Sequence, residues 1–177
     1  VVFIIIIIMS DKPKLYDYQE DGVRMELAMK RCINGDDMGT GKTVQSIVAI
    51  ERAKATPCLV ICPAALKVNW EREIKKFTNL RPLILTDSVN ATYGYHLTKM
   101  DLYDVVICNY ESLAKYFVVS LGEKPLKLKN FIFRNEVDIL KSVIIDESAR
   151  VKDPTTRQSK IIMGICQGKE YIYELTG

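Results

Sequence analysis

The chain has 177 residues, 48% of them hydrophobic and 27% charged, with a formal net charge of +3. That length suits one domain of ordinary size with enough apolar material for a real core. The small net charge excludes a generally basic surface, so any nucleic-acid contact must come from local placement of Lys and Arg.

Residues 1–8, "VVFIIIII", are too few for a membrane span, which needs about 20 apolar residues. They lack the basic flank and small-residue cleavage site of a signal peptide. They read as a stretch ahead of a natural start at Met9, or as an edge strand. Residues 16–30 set Val23, Leu27 and Ala28 on a polar background, which predicts a helix despite Gly22. Cys32 and Ile33 form a short strand ending at Gly35. Over 42–54, the positions of Val44, Ile47, Val48 and Ile50 predict a second helix. "PCLVICP" (57–63) is an apolar run between prolines, the pattern of a strand buried on both faces.

Residues 66–77 read as a helix in which Trp70, Ile74 and Phe77 share a face and Glu71 pairs with Lys75. Trp70 reads as core rather than as a base-stacking platform. Residues 83–85 and 105–108 are strands, 111–118 a helix, 122–135 a basic, irregular surface excursion and 142–145 a strand. Asp153 and Pro154 read as N-cap and first helical position ahead of a helix over 156–166, with Thr155 and Gln158 at capping-box spacing. Tyr171–Leu175 is the last strand. The cysteines, Cys32, Cys58, Cys62, Cys108 and Cys166, form no C-x-x-C pair, which reads as reduced thiols in an intracellular protein. The single histidine, His96, gives a zinc site no support. Strand–helix alternation with doubly buried strands predicts an α/β fold, a mostly parallel sheet covered on both faces.

Two motifs carry chemistry. "INGDDMGTGKT" (33–43) sets a glycine loop between a strand and a helix. The strict phosphate-loop pattern needs a first glycine where Asp36 stands. The physics survives, because Gly39 and Gly41 let the N–H groups around Thr40 turn inward on a phosphate, and the helix adds its positive end. Lys42 can reach the β- and γ-phosphates, and Thr43 can offer a hydroxyl to Mg²⁺. The second motif is Asp146-Glu147, two acids ending an apolar strand. Asp146 would hold Mg²⁺, and Glu147 would orient or deprotonate an attacking water in nucleoside triphosphate hydrolysis. The C-terminal edge of a parallel sheet is where such ligands bind.

Taken jointly, the motifs resemble those of Swi/Snf-type DNA translocases of helicase superfamily 2. "LYDYQEDGV" resembles the family's adenine-recognition segment, with Gln19 in the base-reading place. "DDMGTGKT" resembles its first motif, which itself begins with Asp. "LVICPAALKVNWEREIKKF", "VVICNYESL" and "VIIDESARVKDPTTRQSK" resemble motifs Ia, Ib and II, and "YELTG" the opening of motif III. The resemblance runs from Leu15 to Gly177 and implies a three-layer RecA-like P-loop NTPase fold. Residues 10–177 would be the first of two such lobes, with residues 1–9 an extension and the second lobe outside this sequence.

The implied activity is DNA-dependent hydrolysis of ATP with Mg²⁺ and tracking along double-stranded DNA through its backbone. Lys67, Asn69, Asn109 and Ser112 are the implied DNA contacts. The second lobe would supply arginines to the phosphoryl group, so this lobe alone would bind ATP weakly and hydrolyse it slowly. The implied setting is monomeric and intracellular, in a bacterial or phage-like cytoplasm or nucleoid, with no membrane partner. Two departures stand out. Ala149 occupies the place of the family's motif II histidine, which puts coupling in doubt rather than metal or water binding. Met25 stands where tryptophan is frequent, a packing change. The other readings are a nucleotide-binding module with impaired coupling, or another superfamily 2 motor such as an RNA helicase or restriction-system subunit.

Overall fold

Apolar runs too short for helices become the strands of the sheet. The structure is a computed structural model that describes residues 12–89, 92–94, 101–123 and 125–177. Residues 1–8 and His96 lie outside the described residues. In chain order the elements are α1 (Asp17–Met29), β1 (Arg31–Asn34), α2 (Lys42–Ala53), β2 (Cys58–Cys62), α3 (Lys67–Phe77), β3 (Pro82–Ile84) and β4 (Val105–Asn109). They continue with α4 (Leu113–Phe117), β5 (Val118–Ser120), β6 (Ile132–Phe133), α5 (Glu136–Ile139), β7 (Ser142–Asp146), α6 (Arg157–Cys166) and β8 (Tyr171–Leu175).

Six strands form one sheet in the order β1-β8-β7-β2-β4-β3, and every pairing in it is parallel. Side-chain alternation along β2 feeds a core on each face of this sheet. Leu59 and Ile61 enter one core with Val106, Cys108, Val143 and Ile145, under Leu113, Phe117, Ile161 and Ile165. Cys58, Val60 and Cys62 enter the opposite core with Ile107 and Ile144, under Val23, Ile47, Ile50, Trp70 and Ile74. Burying each such side chain contributes roughly 1.5–3 kcal/mol, so neither face can be left uncovered. Among the described residues no helix is long and apolar enough to cross a membrane.

Three expectations change. Asp153 is not the N-cap of α6. Thr156 has the extended backbone of a cap, and its side chain accepts from the Ser159 N–H at 3.1 Å. Asp153 instead folds its carboxylate onto the Thr155 N–H at 2.8 Å, closing a local turn before the helix. The helix expected over 111–118 is split. A 3-10 turn, Tyr110–Ser112, leads into α4, and Val118 already belongs to β5. Residues 122–135 are not irregular throughout, because β6 pairs antiparallel with β5 in a small ribbon. In that stretch Lys127 and Lys129 are exposed while Leu126 and Leu128 are half-buried against the core. The basic run is therefore a solvated edge over an apolar footing.

Gly164 of α6 is where this ribbon seats. A Cβ at Gly164 would lie 2.2 Å from the Phe133 ring and 3.1 Å from Leu128. Alanine would raise helix propensity by about 1 kcal/mol, but overpacking costs about 1–3 kcal/mol. Gly164→Ala is expected to give a net loss of about 1 kcal/mol in urea unfolding, without changing ligand affinity at the distant sheet edge.

Candidate functional site

Because the strands run the same way, their C-terminal ends share one edge, and the register aligns them. Asn34 is opposite Leu175, Leu175 opposite Asp146, Ile145 opposite Ile61, and Cys62 opposite Asn109. The glycine loop leaves β1 and the acid pair ends β7, with only β8 between them. Two strand spacings put these ends roughly 10 Å apart, a gap that a chain of phosphates and a cation can fill.

The loop is shaped by two left-handed glycines, Gly39 at φ 85° and Gly41 at φ 83°. Gly41 is the N-cap of α2, so the free N–H groups of its first turn open toward the loop. Lys42 Nζ lies inside the loop, donating to the carbonyls of Asp36 and Asp37 at 2.5 and 3.1 Å. Thr43 is half-buried in the first turn of α2. Gln19 is buried against the loop. Its Nε2 donates to the Thr40 carbonyl at 3.2 Å and its Oε1 accepts from the Tyr16 N–H at 3.1 Å. A Cβ at position 41 would lie 2.3 Å from Gln19 Nε2, so Gly41 is needed for closeness as well as for φ. The start of the motif III segment closes the same space, since a Cβ at Gly177 would lie 3.6 Å from Lys42 Nζ.

The adjacent acids are treated oppositely. Asp146 is half-buried. Trp70, 1% exposed on α3, donates its indole N–H to Asp146 Oδ2 at 2.8 Å. Tyr110 donates its hydroxyl to the Asp146 backbone carbonyl. Burial pushes the Asp146 carboxyl above its ordinary range, with the Trp70 hydrogen bond pulling it down and the neighbouring Glu147 charge pushing it up. The Lys42 charge also acts on Asp146, which ties the loop to the acid pair electrostatically. Glu147 is exposed and sits in the left-handed region at φ 55°, ψ 47°. This turn breaks strand alternation at the point where the second acid must leave the sheet.

On the β4 side, Lys67 Nζ donates to Asn109 Oδ1 at 3.4 Å, and Asn109 Nδ2 donates to Glu111 Oε2 at 2.8 Å. Arg150, after the acid pair, reaches Glu111 at 3.8 Å and lies over the Tyr110 ring. The structure thus brings Lys67 and Asn109 together. Asn69 is exposed on α3 and Ser112 half-buried, and neither is hydrogen-bonded to that pair. Cys62 lies between these groups. Burial raises its thiol to about 12, with Asp146 pushing it up and Lys67 pulling it down. Ala149 is exposed at the rim of a cavity of about 340 Å³, lined also by Ile33, Lys152, Met163, Glu174 and Thr176.

The order of the sheet and the glycine loop at its edge define a RecA-like lobe. The family model described as SNF2-related domain matches residues 18–172, and the chain belongs to that family. It is 29% identical over 168 residues to the DNA annealing helicase and endonuclease ZRANB3 of Bos taurus, covering 94% of this chain and 14% of that protein. It is 31% identical over 166 residues to human chromodomain-helicase-DNA-binding protein 7, covering 86% of this chain and 5% of that protein. Among solved structures, the Sulfolobus solfataricus SWI2/SNF2 ATPase core in complex with dsDNA superposes with a TM-score of 0.69 at 29% identity. That match covers 94% of this chain and 32% of the other. The UvsW helicase from bacteriophage T4, at 17% identity and a TM-score of 0.64, shares the fold. The chain therefore spans a small part of the length of the relatives it matches.

Sequence reasoning assigned Trp70 to the core and missed its polar task. The signal was available, since an indole that is fully buried needs an acceptor. Trp70 is the only tryptophan, so its emission reports on this contact. Asp146→Ala is expected to shift that emission, and Glu147→Ala, which alters an exposed carboxylate, to leave it in place. Trp70→Phe keeps an aromatic ring in the core but loses part of its volume and strands a half-buried carboxylate oxygen, the latter alone costing roughly 1–3 kcal/mol in urea unfolding. An emission insensitive to Asp146 would refute the contact.

Proposed function

We propose that the chain is the ATP-binding lobe of a DNA-dependent ATPase that moves along double-stranded DNA. The observation that supports it most is the single sheet edge where the Lys42 loop after β1, Asp146-Glu147 at the end of β7 and Asn109 at the end of β4, bonded to Lys67, come together. In this reading Gly39, Thr40, Gly41 and Lys42 hold the phosphates, with Gln19 reading the base from the end of α1. Gln19 has both ends of its amide engaged, so base reading requires it to exchange a partner.

Thr43 and Asp146 would hold Mg²⁺. The donor set fits a hard cation. Both offer oxygen, and the indole fixes the Asp146 carboxylate at Oδ2. Bound there, the cation supplies charge neutralisation at the phosphates. Glu147 takes the proton of the attacking water or holds that water in line. Its exposed position beyond the sheet edge suits contact with water rather than with the core.

Lys67 and Asn109 meet the DNA backbone, with Asn69 and Ser112 on the flanks. Such contacts position the protein without reading sequence. The relatives are longer than this chain, and a second RecA-like lobe joined to residues 10–177 would complete the catalytic centre. The setting we infer is monomeric and intracellular, where ATP and DNA are at hand. A second reading, a nucleotide-binding module without coupling, is favoured by one feature. Ala149 presents only a methyl group at the rim of its cavity, so its side chain cannot hydrogen-bond to the motif III segment.

Lys42→Ala is expected to weaken binding of ATP with Mg²⁺ at least tenfold by titration calorimetry. Equal affinities would sink the nucleotide reading. In a protein carrying both lobes, duplex DNA is expected to stimulate ATP hydrolysis. If only Ala149→His restores stimulation while binding is unchanged, the uncoupled module is the right reading. Lys67→Ala should weaken duplex binding evenly across sequences and reduce the salt slope by about one.

A further inference from the structure

Beneath the phosphate loop lies a set of buried polar side chains that none of the assigned roles uses. Glu26 of α1 is 0% exposed. Its Oε1 accepts from Asn34 Nδ2 at 3.0 Å and from Ser46 Oγ at 2.8 Å. Its Oε2 is buried and has no hydrogen-bond partner among the described residues. Asn34, on β1, also donates to Gln45 Oε1 on α2 at 3.0 Å. From this core two bonds leave for the loop. Asn34 Oδ1 accepts from the Asp36 N–H at 3.2 Å, and Gln45 Nε2 donates to the Thr40 carbonyl at 3.3 Å. Asp36 and Thr40 bracket the loop. Gly22 keeps the arrangement possible, because a Cβ there would lie 2.2 Å from Gln45 Oε1.

We propose that Glu26 is a positioning residue for the nucleotide phosphates: through Asn34 and Gln45 it holds both ends of the phosphate loop, and it does so best as the neutral acid. The inference rests on the nucleotide-binding reading and adds a proton to it. An ionised Glu26 would leave a charged oxygen buried without a donor, which a protein interior penalises heavily. Among the described residues, no cation facing it offsets that charge. The groups that face it are Cys32 and Asn34 from β1, Asp36 from the loop, Gln45 and Ser46 from α2, and Tyr173 from β8, whose hydroxyl donates to the Glu26 backbone carbonyl at 3.1 Å.

Burial raises the Glu26 carboxyl to about 7, against the pull of its Asn34 and Ser46 hydrogen bonds, and the Asp36 charge adds to the rise. The folded chain therefore keeps this proton between the ordinary carboxylate range and neutrality, while an unfolded chain has lost it. Stability from this group falls as pH rises through that window and is flat above it. Nucleotide binding brings further negative charge to the loop, so it favours the proton. By reciprocity, losing the proton disfavours the nucleotide. A rise of one unit in the carboxyl on binding corresponds to about a tenfold loss of affinity across the titration.

The test is the affinity of the chain for ATP with Mg²⁺ from pH 6 to pH 8, in the unaltered protein and in Glu26→Gln. The ligand's own titration is common to both, so their ratio isolates Glu26. The unaltered chain should lose several-fold to about tenfold more affinity than the variant over this range. In parallel, the Glu26 carboxyl carbon, followed by NMR in the unaltered chain, should titrate at higher pH with nucleotide bound. The NMR arm stands even where Glu26→Gln folds poorly. Parallel affinity profiles, or a carboxyl titration that nucleotide does not move, would overturn this inference alone. Absence of nucleotide binding by the unaltered chain at every pH would overturn the functional reading with it.

Discussion

Six parallel strands must end on one edge, and the register between them is held by side chains buried on both faces. A slip of one residue in β7 would turn Val143 and Ile145 into the core that holds Ile144, and would carry Asp146 away from Leu175. The chemistry of the edge therefore depends on packing in the middle of the sheet. The apolar residues of β2, β4 and β7 contribute stability, and they also fix which residues come last in each strand. In β1, β4 and β7 those last residues are polar: Asn34, Asn109 and Asp146.

The site handles buried charge in two ways. Asp146 is drawn into the protein but given an indole donor, a backbone donor from Glu147 and a cation across the gap. Its desolvation is partly offset, and the carboxylate is held in a defined direction. Glu26 is buried more deeply and receives only neutral donors on a single oxygen. One carboxyl is arranged to remain a charge near a ligand, the other to sit beneath a ligand without opposing it. The difference follows from what each faces: Trp70 and Lys42 in the first case, Asn34, Ser46 and the acid Asp36 in the second.

Much of this was legible in the sequence. Doubly apolar runs such as "CLVIC" and "SVIID" announce central strands, and glycines spaced around a lysine announce the loop, because few other structures need those residues there. The register, and hence which strand ends are neighbours, was not legible, since no local pattern says that β8 inserts between β1 and β7. Short elements were lost for a related reason. β5 and β6 are too brief to show a period, and α5 has a single turn. The cap of α6 was misplaced because Asp153 and Thr156 are both good capping residues, and only backbone direction decides between them. Glu26 was overlooked because its partners come from β1 and α2, although a carboxylate three positions after Val23 on the same helical face was a visible anomaly.

The left-handed backbone at Glu147 has a consequence for what this position can become. For a residue with a Cβ that conformation costs roughly 1–2 kcal/mol, and glycine alone escapes the cost. The most stable version of this turn is therefore one with no carboxylate in it. Selection for stability alone would drift toward glycine at 147 and erase the second acid, while β-branched residues would be shut out altogether. A glutamate that persists there is held against the preference of its own backbone. In a laboratory stability screen the position would register as a defect awaiting repair, and the repaired protein would keep its sheet and its loop while losing the group best placed to meet a water.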